Sequence, residues 1–116
     1  MTIELQALGV DGSQCSVRSL ETNDVFQLGR APQNDLVVAW DRLISREHAQ
    51  MRWHDGQLQV RCMEKATNPV IINGESFREL KIDVGGEFLI GATSFRLIGE
   101  VESQKPSGME MSEDEP

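Results

Sequence analysis

The sequence predicts an all-β fold, a sandwich or barrel of ten or so short strands. Three observations carry this. Apolar and polar residues alternate with a period of two almost throughout. Turn-forming residues recur every eight to twelve positions. No apolar stripe at i, i+3, i+4, i+7 persists over three turns, so no amphipathic helix is expected. The four prolines (Pro32, Pro69, Pro106 and Pro116) fall at loops or strand starts, where a missing N–H does not interrupt a ladder.

In chain order, Ile3, Leu5 and Ala7 alternate with polar neighbours, and Asp11-Gly12 turns the chain. Cys15 and Val17 alternate next and are expected on an apolar face. After the turn at Glu21–Asp24, Phe26 and Leu28 lead to Gly29-Arg30. A Pro/Asn/Asp loop then precedes a short strand at Leu36-Val37-Val38. The clearest hairpin pairs Ala49, Met51 and Trp53 with Leu58, Val60 and Cys62 across Asp55-Gly56. A second hairpin pivots on Asn73-Gly74, read as a type I′ turn. Leu80, Ile82 and Val84 alternate before Gly85-Gly86, and Phe88–Ile90 and Phe95–Leu97 complete the domain.

A chain of 116 residues is long enough for one domain with its own core. The division expected is a domain over residues 1–100 and a flexible acidic tail or linker over 101–116, where Ser, Gly, Pro, Met and acids dominate. The tail carries five acids against Lys105; residues 1–100 hold fourteen acids and ten bases. A net charge of −8 with scattered bases argues against nucleic-acid binding. Apolar runs of a few residues give no transmembrane helix, and no secretory signal opens the chain, so a cytoplasmic protein without membrane contact is expected. Cys15 and Cys62 read as two reduced core thiols, and no zinc spacing is present.

The chemistry concentrates between Leu28 and His48, with Thr67-Asn68 as a distant echo. Ser45 and His48 do not make a hydrolase, because no third group is evident and no GxSxG turn is present. His48 and His54 lie too far apart on one strand to share a metal ion. An anion site fits better. Arg30 and Arg46 supply guanidinium groups, Ser45 and Thr67 supply hydroxyls, and a phosphate dianion takes charge-assisted bonds from such a set. Asn68 has both donor and acceptor, which suits pairing with an extended peptide backbone. Arg42 and Lys65 are candidates to flank the pocket.

Gly29-Arg30, Asn34-Asp35-Leu36, Ser45-Arg46-Glu47-His48-Ala49, Thr67-Asn68 and Asn73-Gly74 together resemble the forkhead-associated (FHA) domain in order and spacing. The resemblance covers roughly residues 5–99. It implies a β-sandwich of about eleven short, mostly antiparallel strands with recognition loops at one end. It implies a non-catalytic module, without cofactor or metal, that binds phosphothreonine in an extended peptide of a partner within Ser/Thr kinase signalling. A Ser/Thr kinase or its substrate is the kind of partner implied. In that role Arg30 and Ser45 hold the phosphate, Arg46 and Thr67 add phosphate or peptide contacts, and Asn68 holds the ligand backbone. Gly29, His48, Asn73 and Gly74 support the site. The chain departs from the family at Asn68-Pro69-Val70, where Asn-Gly-Thr is frequent; proline removes one N–H and pushes Asn68 toward extended backbone. The competing reading is a phosphate-independent interaction or dimerisation domain. A third has the acidic tail folding back into the pocket, although the tail contains no threonine.

Overall fold

The computed structural model describes residues 3–99; the expected tail at 101–116 lies outside the described residues. Eleven strands and no helix form within them. They are β1 (Ile3–Leu8), β2 (Cys15–Leu20), β3 (Val25–Gly29), β4 (Leu36–Val37), β5 (Ala49–His54), β6 (Gln57–Cys62), β7 (Val70–Ile72), β8 (Glu75–Phe77), β9 (Glu79–Asp83), β10 (Glu87–Ile90) and β11 (Thr93–Gly99). Two sheets result. One has six strands in the order β2-β1-β11-β10-β7-β8, the other five in the order β4-β3-β5-β6-β9. Of the sandwich or barrel that the alternation predicts, the structure is the all-β sandwich that the family resemblance implies. All strand pairs are antiparallel except β3 with β4.

The core lies between the sheets because each strand turns alternate side chains inward. Leu5 and Ala7 from β1, Phe26 and Leu28 from β3, Met51 and Trp53 from β5, and Leu58 and Val60 from β6 are all buried. Phe88 and Phe95 stack with ring centroids 4.9 Å apart across β10 and β11. Trp53 belongs to this core, and Trp40 packs at its margin. Asp55-Gly56 and Asn73-Gly74 both adopt left-handed backbone, with φ of 54° and 73° and of 51° and 84°. Both hairpins are therefore built on the primed turns that match strand twist.

The expectation for β2 is overturned. Cys15 is exposed and Val17 is 47% exposed, while Leu20 is buried. Leu20 sets the register opposite Ile3, and period two then turns Arg18 inward and Val17 outward. Arg18 lies 4.7 Å over the Phe26 ring and pairs with Asp24 at 3.2 Å, so its stem and face cover the core while its charge is met. Cys62 is half-buried, and burial pushes its thiol pKa upward. Both cysteines are free thiols. Val84 also faces solvent, one residue beyond the end of β9.

Candidate functional site

Three loops meet at one end of the sandwich: 30–35 after β3, 38–48 before β5, and 63–69 before β7. The first must join two parallel strands in six residues, far fewer than a parallel connection normally takes. Side chains make the short path possible. Asp35 accepts the Gln27 amide at 2.9 Å and returns its own N–H to the Gln27 carbonyl at 3.0 Å. Asn34, buried, donates its side-chain amide to the Ala31 carbonyl at 2.7 Å and the Arg46 carbonyl at 2.6 Å. Its Oδ1 has no partner among the described residues, so this amide serves through its donor side.

Gly29 sits where the first two loops touch. A β-carbon there would collide with the Arg46 carbonyl and lie 2.7 Å from Asn34 Nδ2. The need is for space, since Gly29 has no left-handed φ. The close approach lets the Arg30 N–H reach the Ser45 carbonyl at 3.0 Å and the Ala31 N–H reach the Arg46 carbonyl at 3.2 Å. The Arg30 side chain is half-buried, and its Nε donates to the Ile44 carbonyl at 3.0 Å. That bond fixes the stem and leaves the two terminal nitrogens of the fork for a ligand.

The second loop is held from below by Asp41. Its carboxylate accepts the Leu43 N–H at 2.9 Å, the Ala92 N–H at 2.8 Å and the Thr93 hydroxyl at 2.7 Å. Burial alone would raise its pKa, but these bonds outweigh that effect and hold the carboxyl below its ordinary value. Trp40 adds its indole N–H to Thr93 at 3.2 Å.

His48 joins the second loop to the third. Its Nδ1 accepts the Ser45 backbone N–H at 2.9 Å, and its Nε2 faces the Asn68 carbonyl at 2.7 Å. An imidazole that accepts at Nδ1 must carry its proton on Nε2, so the neutral Nε2–H tautomer is the one that satisfies both bonds. The ring is fully buried, and burial, with Arg78 adding, lowers its pKa; the Asn68 carbonyl and Asp41 oppose the shift. The partner of His48 is the Ser45 amide and not its hydroxyl. The imidazole therefore has no lone pair to activate that hydroxyl.

The third loop brings Thr67 and Asn68 to the same place. The Thr67 N–H approaches Ser45 Oγ at 3.3 Å, and Asn68 Nδ2 donates to the Leu43 carbonyl at 2.8 Å. Arg78, just after β8, ties the loop down through the Met63 carbonyl at 2.8 Å and the Ala66 carbonyl at 2.9 Å. The result is an open groove of about 700 Å³ bordered by Arg30, Gln33, Ser45, Arg46, Met63 and Lys65, with Glu47 and Glu64 also on its walls. Among the described residues neither Arg30 nor Arg46 is ion-paired.

Of the residues singled out in the sequence, Arg30, Ser45 and Arg46 line this groove, and Thr67 and Asn68 are tied to Ser45 and Leu43 beside it. Gly29 and His48 sit beneath it as spacer and brace. Lys65 lines it and Arg42 does not. Asn73 and Gly74 lie at the far end of β7 from Asn68, away from the groove walls. Sequence reasoning missed Asp41, Thr93 and Arg78 as braces. Asp41 meets the Ala92 N–H and the Thr93 hydroxyl, and Arg78 meets the Met63 and Ala66 carbonyls, all distant in sequence. Asn34 stood within the quoted pattern, and its side-chain role emerges only from the fold.

The family model described as "Inner membrane component of T3SS, cytoplasmic domain" matches residues 11–100. Among solved structures, the chain is similar to the FHA domain of the CT664 protein from Chlamydia trachomatis, with a TM-score of 0.74 and 23% identity over 87% of this chain and 100% of that one. It is similar to an FHA domain studied for phosphothreonine-dependent interactions, with a TM-score of 0.69 and 18% identity over 86% and 98%. It is also similar to Mycobacterium tuberculosis EmbR in complex with a low-affinity phosphopeptide, with a TM-score of 0.66 and 16% identity over 88% of this chain and 26% of that one. No curated protein gives a significant match. With the matched model spanning most of the chain and the strand order on the page, the protein is an FHA domain and belongs to the family of type III secretion inner-membrane-component cytoplasmic domains.

Proposed function

We propose that this domain is a non-catalytic module that binds phosphothreonine in an extended segment of a partner protein, in the context of Ser/Thr kinase signalling. One observation carries the reading. The Arg30 guanidinium is fixed by its Nε bond to Ile44, points no charge at a carboxylate of the described chain, and borders the same groove as the Ser45 hydroxyl. A guanidinium already fixed in place loses little freedom when it grips an anion. Arg46 and Lys65 raise the local potential, and Glu47 and Glu64 disfavour ligand carboxylates beside the phosphate. Asn68 offers its Oδ1 and second N–H to the ligand backbone, since one N–H is spent on Leu43. The likeness to the phosphopeptide-bound EmbR and to the phosphothreonine-dependent FHA domain supports the same reading. A cytoplasmic setting accords with the family's description, and no helix among the described residues is long and apolar enough to cross a membrane.

The test is a titration of the full chain with one peptide library in phosphothreonine, phosphoserine and unphosphorylated forms. Phosphothreonine peptides are expected to bind best, and binding should weaken as pH falls below the second phosphate pKa near ~6. Equal retention of all three forms would falsify the reading.

A further inference from the structure

The groove does not end at Met63 and Glu64. Those two residues also border a shallow depression with Arg61, Cys62, Gln50 and Arg78. Gln50 and Arg61 in turn border a third depression on the outer face of the five-stranded sheet, with Arg52, Gln59, Lys81 and Glu79. The three depressions therefore adjoin through shared lining residues and make up a trough from the loops to the sheet face.

The face has a definite charge pattern. Strand register places Arg52, Gln59 and Lys81 in one cross-strand row and Gln50, Arg61 and Glu79 in the next. Arg52, Arg61 and Lys81 are exposed, and none is in an ion pair among the described residues. Glu79, at the edge strand, is the single acid of the two rows. In a chain of net charge −8, three unpaired cations on one sheet face stand against the general sign of the molecule. Long amide side chains such as those of Gln50 and Gln59 offer both donors and acceptors to an extended backbone.

We infer that this trough is a second docking surface, which takes an acidic segment of the same partner a few residues from its phosphothreonine. The inference rests on the phosphopeptide reading of the groove and extends it. Distance supports the pairing. Met63 and Gln59 are four residues apart along β6 and its exit, about 13 Å at strand rise, so about four extended ligand residues cross from groove to face. The occupant is a carboxylate-rich peptide because the cations are spread over two rows, where one compact phosphate cannot reach them all.

The test uses the full chain and synthetic peptides. The probe is phosphothreonine flanked by three alanines on each side, alone or extended at either end by six glutamates or six glutamines. The glutamate extension at one end should bind roughly tenfold tighter than the glutamine one, from a few exposed ion pairs, and the gain should shrink with salt. Backbone amides of Arg52, Gln59 and Lys81 should shift on that addition alone. A chain carrying R52Q, R61Q and K81Q should lose the gain and still bind the unextended peptide as wild type does. Equal affinity for the two extensions, or a gain that survives the triple substitution, overturns the inference. So does a shift of the same amides, without peptide, when Glu110, Glu113, Asp114 and Glu115 are changed to amides, because the chain's own acids would then be the occupant. If threonine and phosphothreonine forms bind alike while the glutamate preference persists, the sheet face stands and the groove reading falls.

Discussion

The two kinds of loop in this sandwich are held by different forces. At the turns away from the groove, backbone conformation is local. Asn23, Asp55 and Asn73, together with Gly12, Gly56, Gly74, Gly85 and Gly91, take left-handed backbone, and all lie outside the loops that border the groove. The groove loops contain no such residue; they are held instead by side chains that bond backbone groups within and between the loops. The four buried polar residues among those described, Asn34, Asp41, His48 and Thr93, all belong to this bracing. Burying a polar group is unfavourable unless its bonds are made. The groove thus concentrates the molecule's polar burial, and its geometry depends on partners as far apart as Asp41 and Thr93.

This contrast can be broken from the groove side. His48→Ala should have the largest effect. It opens a cavity and orphans the Ser45 N–H and the Asn68 carbonyl, for a loss of about 3 kcal/mol in urea denaturation. Gly29→Ala comes next, at about 2 kcal/mol, because the added methyl meets backbone at Arg46 rather than a yielding side chain. Gly74→Ala should lose about 1 kcal/mol through strained φ alone, since nothing lies within 4 Å of the new carbon. It should leave phosphopeptide affinity unchanged, whereas Gly29→Ala should weaken it. If Gly74→Ala weakens binding as much as Gly29→Ala, the division between local turns and braced loops is wrong.

The same division explains what was legible in the sequence. Strand alternation and the Asp55-Gly56 and Asn73-Gly74 turns are properties of neighbouring residues, so ten or so strands in a sandwich or barrel follow from them, and the family resemblance adds the eleven-stranded sandwich that the structure has. The failure at β2 is instructive. Val17 and Cys15 look inward by composition, yet Leu20 fixes the register and Arg18 fills the inward place. Arg30, Ser45, Arg46, Thr67 and Asn68 are proposed as ligand-binding residues from motif spacing. Arg78 and the Asp41–Thr93 pair were not legible, because apart from the local Asp41–Leu43 bond they meet groups that only the fold brings near.

A smaller effect sharpens the comparison through pH. Burial lowers the folded-state pKa of His48. The unfolded chain takes up the proton near pH ~6.5 and the folded chain at lower pH. The stability associated with neutral His48 is therefore complete above that point and is lost as pH falls through the folded pKa. Asp41, with its carboxyl held low, contributes above its unfolded value, and its contribution is lost at more acidic pH. Denaturation midpoints measured from neutral pH downward should show the His48 limb first, and His48→Ala should flatten that limb. A flat wild-type profile across the same range would remove His48 as a pH-sensitive brace.

The most direct measurement of the central claim is the affinity of matched phosphothreonine and threonine peptides for wild type and Arg30→Ala. The phosphate should contribute strongly in wild type, and Arg30→Ala should erase at least about thirtyfold of that preference, from lost charge-assisted bonds of about 2 kcal/mol. Circular dichroism should show the variant folded, because Arg30 contributes one side-chain bond to the scaffold. An undiminished preference for the phosphorylated peptide in folded Arg30→Ala would contradict the account.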